Sequence, residues 1–188
     1  MATFVVSGIQ KIRYAPASPL GVVQSGDWKQ IENVAPGTVL FTKNNGAKTS
    51  IVPEDKDVAF LNFFAPSDGD VLTLGVLEQN PDLVQQLFNV TYTVATTLLA
   101  FKAKEKIANL AWELTTRPAK DGRKCIITIY NTDVQTGYAN NLEKTAAEQL
   151  ALNCTLGTYR PALATEDFIY TKQFVLADGT VIDSTPAG

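Results

Sequence analysis

Five groups of residues in this 188-residue chain have types and spacings that could do chemistry. Glu54, Asp55 and Asp57 place three carboxylates within four positions, the raw material for a general acid paired with a general base. That pairing needs surroundings that push one pKa above the other, and the stretch around them is polar and charged. Asp68-Gly69-Asp70 offers two carboxylates to a hard cation such as Ca²⁺, but the other oxygen donors of a calcium loop are missing, so it reads as a turn. Gly46-Ala47-Lys48-Thr49 resembles the end of a phosphate-cradling loop, yet an alanine separates glycine from lysine and the upstream glycine is lacking. Cys125 and Cys154 are not in a CxxC spacing and fall in alternating apolar runs, where a thiol acts as a small core hydrophobe. Trp28 and Trp112 could stack on sugars or bases. Trp112 lies in an alternating run and reads as core, and Trp28 reads as an anchor for the N-terminal region. The chain has no histidine, which excludes Ser-His-Asp and Cys-His triads, histidine bases and His-ligated metals. No G-x-S-x-G elbow or G-x-G-x-x-G fingerprint occurs. The expectation is a protein that is not an enzyme and uses no cofactor and no metal.

Composition points the same way. Sixteen basic and 19 acidic residues give a net charge of −3, which is not that of a generally basic nucleic-acid binder. Charge is unevenly placed: residues 52–100 hold seven acids and one base, whereas residues 101–124 hold seven bases and three acids. Solvated faces would explain this, and so would an acidic patch on one copy meeting a basic patch on the next. At 45% hydrophobic residues the chain can bury one sizeable core, so a single domain over residues 1–188 is expected. The N-terminal residues lack the basic and apolar regions of a secretion signal, and no run approaches the roughly 20 apolar residues of a bilayer span. With two cysteines and no disulfide framework, a reducing cytoplasm is the expected site of synthesis.

The elements that would position these residues are mostly strands. Residues 38–42, 58–64, 71–77 and 168–175 are rich in Val, Phe, Leu and Ile and are bounded by turn residues. The clearest period-two pattern runs from 149 to 156, with Leu150, Leu152, Cys154 and Leu156 on one face and Gln149, Ala151, Asn153 and Thr155 on the other. Residues 123–130 alternate similarly, and Leu110, Trp112 and Leu114 mark a strand joined to them by a hairpin around Asp121-Gly122. A second tight hairpin is expected over residues 175–182. One helix stands out: Asn80 as cap, Pro81 at the first position, Asp82 in the first turn, then a Leu83, Val84, Leu87, Phe88 stripe, with Asn89 as the stop. Residues 141–148 fit a short helical turn or a strand extension. Residues 14–26 read as an N-terminal arm or extended loop, 43–57 as a long polar loop, and 183–188 as a loose tail. The expected fold class is mainly β: an antiparallel β-sandwich of two packed sheets with one flanking short α-helix and extended loops or arms.

Taken in order, these elements resemble a phage major tail tube protein. The resemblance covers about residues 30–160: strands, the long loop, the NPDLVQQLF helix, then LAWELTTRPAKDGRKCIITIYNTDV as strand, turn, strand and an N-x-D type turn, and EKTAAEQLALNCTLGTY as the next strand. The resemblance implies a structural virion protein that self-assembles into hexameric rings, stacked as a tube that conducts DNA to the host, with no catalytic residues. It implies a tail-tube-like sandwich whose inner sheet continues from one copy to the next. It also implies partners: further copies, then tape measure, baseplate and terminator proteins, with DNA passing through the lumen without specific binding and no membrane. The virion tail is the implied location, and the host cytoplasm during assembly. On this reading Gln149, Ala151, Asn153 and Thr155 form a lumen face, and Lys43, Asn44, Asn45, Lys48, Glu54, Asp55 and Asp57 form an inter-subunit loop. A basic run facing the lumen would hold DNA, so most of residues 101–124 is expected at subunit contacts or outside.

Other readings stay open. The same fold would serve a type VI secretion tube protein or a tail-terminator ring. A monomeric carbohydrate- or receptor-binding β-sandwich, such as an adhesin or tail-fibre accessory module, would use Trp28 or loop aromatics. Host, contractile or non-contractile tail, and ring symmetry are not written in the residues.

Overall fold

The computed structural model describes residues 8–44, 46, 48–51, 54, 61–64, 69–139 and 148–181. The strands are β1 (Ile9–Pro16), β2 (Lys29–Ile31), β3 (Leu40–Thr42), β4 (Lys48–Ile51), β5 (Leu61–Phe64), β6 (Val71–Val76), β7 (Val90–Thr93), β8 (Leu98–Phe101), β9 (Ala108–Thr116), β10 (Lys124–Ala139), β11 (Gln149–Leu156) and β12 (Thr171–Val175); helix α1 (Pro81–Leu87) lies between β6 and β7. The protein is mainly β, with two packed antiparallel sheets and one short flanking helix. Strand order is β2-β1-β9-β10 in one layer and β10-β11-β6-β3 in the other, and β12 adds to the first part of β10. The 16-residue β10 serves both layers: residues 124–128 pair with β12, and residues 132–139 pair with β11. Beyond β2 the chain turns onto the edge of β6 that β3 also pairs, through a Val34–Val76 bridge and the Ala35 N–H to Gly75 carbonyl bond of 2.8 Å. Pairs β4–β5 and β7–β8 form separate two-stranded ribbons.

A register shift explains how one strand faces the core throughout. Cys125, Ile127 and Ile129 are buried on odd positions, then Thr132 and Val134 on even ones. Between Ile129 and Thr132 the pairing with β9 slips by one residue, a bulge that flips the phase and bends the strand from one layer to the other. The asparagine-to-aspartate stretch at 131–133, expected as a turn, is instead this bulge within a continuous strand. Thr132 makes it tolerable. Its hydroxyl accepts from the Trp112 indole N–H at 3.0 Å and donates to the Leu110 carbonyl at 2.8 Å, so two buried polar groups are satisfied at once. Around them Ile12, Tyr14, Leu72, Val76, Leu83, Leu87, Leu114, Leu150 and Leu152 join a single core between the layers.

Local chemistry accounts for the remaining elements. The Asn80 side chain accepts from the Asp82 N–H at 2.9 Å, Pro81 opens α1, and Leu83, Val84 and Leu87 are buried against the sheets. The helix ends one residue before the expected Asn89, with Phe88 extended at its C-terminal cap. The β9–β10 hairpin turns through Gly122 at φ +77°, and Val175 bridges Val181 across the Asp178-Gly179 turn. Two expectations are corrected. Tyr14, Ala15 and Pro16, expected in an arm, belong to β1, and Tyr14 and Ala15 are 2% and 1% exposed. β1 pairs with β9 over its length, and that pairing holds them in the sheet. The 43–57 stretch, expected as a loop, contains β4, which pairs antiparallel with β5. Residues 52, 53, 55–60, 141–147 and 182–188, and the readings that fall on them, lie outside the described residues.

Candidate functional site

The face of β10, β11, β6 and β3 turned away from the core is built mostly from uncharged residues. Directly opposed residues in antiparallel strands point to the same side, so register defines its rows. Asp133 lies opposite Thr155, Val71 and Thr42 in turn; Gln135 lies opposite Asn153, Thr73 and Leu40; Gly137 opposite Ala151 and Gly75; Ala139 opposite Gln149. Asp133 is the one ionisable residue in these rows, and its carboxylate accepts from the Asn109 side-chain amide. Two glycines lie in these rows, and the side chains of Thr38 and Gln149 cover one of them, Gly75. A Cβ on Gly75 would come within 2.9 Å of the Gln149 side-chain oxygen and 3.2 Å of Thr38, whereas one on Gly137 would meet open space. The four β11 residues picked from the sequence therefore sit outside the core, in the middle of a four-stranded face. Asn153 is exposed, and Gln149, Ala151 and Thr155 are half-buried by their row neighbours.

The opposite outer face, on β1, β9 and the first part of β10, is of a different kind. Arg13 and Glu113 are ion-paired across β1 and β9, and the Arg13 guanidinium lies 5.5 Å from the Trp28 ring centre. Trp28 does anchor the N-terminal region, but its ring is engaged by an arginine rather than open. Ala15 and Ala111 point outward on this face, yet they are 1% and 0% exposed. The segment after β1 crosses toward β10 through the Ser18 N–H to Tyr130 carbonyl bond of 2.8 Å. The Arg160 N–H then donates to the Pro19 carbonyl at 2.8 Å, and Tyr130 packs on Tyr159 at 4.6 Å. Burial, and then the neighbouring Tyr130, push the Tyr159 hydroxyl's pKa above its ordinary value.

A third surface is formed by the β7–β8 ribbon with the segment that follows it. Phe88 stacks on Tyr138 at 5.3 Å and 6°, and Phe101 meets both rings edge-on. Outside this contact Val94, Leu98 and Ile107 are 75%, 57% and 80% exposed. Lys102, Lys104, Glu105 and Lys106 border a cleft of about 620 Å³ between this segment and β10. The Lys106 ammonium donates to the Gln85 carbonyl at 2.9 Å, near the negative end of α1. Three lysines of the basic run thus share a cleft with Asp133 and Gln135 of the outer face, while Arg117, Lys120 and Arg123 lie between β9 and β10 and Lys124 opens β10.

The other residues singled out from the sequence are scattered. Lys43 is exposed after β3; Asn44 donates from its backbone to the Asp70 carboxylate at 3.0 Å and from its side chain to the Gly69 carbonyl at 2.6 Å. Asp70 is thereby a buried structural acceptor that ties the end of β3 to the start of β6. Lys48 belongs to β4, and Glu54 lies in an exposed turn; Asn45, Asp55, Asp57 and Asp68 lie outside the described residues. Cys125 and Cys154 are buried and free, and burial raises both thiol pKa values, so both are held as thiols. Among the described residues no group of three or more His, Cys, Asp or Glu side chains could hold a metal ion, and no helix is long and apolar enough to cross a membrane. What sequence reasoning missed is the share of β10, β6 and β3 in the outer face that includes β11. Alternation flags one strand at a time, and only register shows that four such strands lie side by side. No family model matches the chain, and no curated protein matches it.

Proposed function

We propose that the protein is a self-assembling structural subunit of a phage tail tube, forming stacked rings, hexameric in the reading carried by the resemblance, through which DNA passes to the host. The observation that carries this reading is the outer face of β10, β11, β6 and β3, whose paired rows hold one ionisable residue, Asp133. A channel wall for DNA must not hold phosphates, and cations would hold them. Rows that hold one carboxylate and no lysine or arginine satisfy that requirement. Six copies at −3 would give a ring of about −18, which further disfavours retention of a polyanion. The chemistry asked of this subunit is geometric, so it needs no catalytic group and no cofactor. Further copies are its first partners; tape measure, baseplate and terminator proteins follow from the same reading, as does a place in the virion tail.

A type VI secretion tube or a terminator ring would use the same kind of face. The binding-module alternative loses its lead residue, because Trp28 already carries Arg13 on its ring. The test is light scattering with negative-stain imaging of the purified full chain. Rings or tubes with a central channel are expected, and stacking into tubes separates a tube subunit from a terminator. A strict monomer at all concentrations, with binding in a glycan screen, would overturn the assembly reading. Within assembled tubes, Gln135→Lys combined with Asn153→Lys is expected to leave assembly intact and to retain DNA in the channel.

A further inference from the structure

We draw no further inference here: the strongest candidate, the cavity of about 710 Å³ between β1, β9 and the segment from Ile31 to Phe41, brings Lys11, Arg117 and Glu32 together with apolar side chains, and nothing in the structure shows what covers it.

Discussion

The two outer faces of the packed layers are finished in opposite ways. On β1, β9 and the start of β10 the face carries an ion pair, a tryptophan and packed tyrosines, and its outward alanines lie buried. On β10, β11, β6 and β3 the rows hold mostly glycine, alanine, threonine, asparagine and glutamine, with Asp133, Val71 and Leu40, and they are exposed or half-buried apart from Gly75. The first face stabilises the fold by burying area; the second buries less of its outer side. A long strand with one bulge makes the division possible, since β10 supplies both faces.

One residue type, placed on both faces, gives the sharpest way to break that comparison. Ala111→Glu puts a carboxylate where nothing is exposed, and a loss of about 4 kcal/mol or more is expected, read as a collapse of the urea midpoint. Between the faces, Tyr14 reports on the core. Burial, and then the nearby Asp82 and Glu78 charges, push its pKa up to about 12. Because the folded value lies above the ordinary tyrosine value of about 10, its contribution is intact below pH 10 and is lost as pH rises toward 12. The shift is worth on the order of 3 kcal/mol at most. Denaturant midpoints should fall across that window in wild type and fall less in Tyr14→Phe.

A smaller loss is expected where the covered face is sealed. Gly21→Ala combines a left-handed backbone with a Cβ 2.6 Å from the Tyr159 ring, and should cost about 1 to 3 kcal/mol by chemical denaturation. Tyr159→Phe, which keeps the ring, should leave that loss unchanged when combined with it. The smallest effect belongs to the less buried face: Ala151→Glu should shift stability by no more than about 0.5 kcal/mol. Equal losses for Ala111→Glu and Ala151→Glu would erase the distinction between the faces.

Much of this was legible in the residues because it is local. Period-two alternation gave β11 its bounds, 149 to 156, and assigned each side chain to its side. Asn80, Pro81 and Asp82 announced α1 through the backbone groups that a helix start leaves unpaired. The expectations for 14–16 and 131–133 went wrong for a shared reason. Ala15-Pro16 and Asn131-Thr132-Asp133 look like loop chemistry, but pairing with β9 holds both in strands. Long-range partners decided those cases, and local propensity could not see them.

By itself the sequence determined a mainly β chain with one capped helix, two core thiols and no histidine chemistry, since each depends on residue type and short-range spacing. The tertiary structure decided which faces exist. Register placed four strands side by side as one surface with a single ionisable residue, a bulge at Tyr130 and Asn131 carried β10 from one layer to the other, and segments distant in sequence covered the opposite face. A face is a relation among strands dozens of residues apart, so it forms only when backbone hydrogen bonds bring those strands into register.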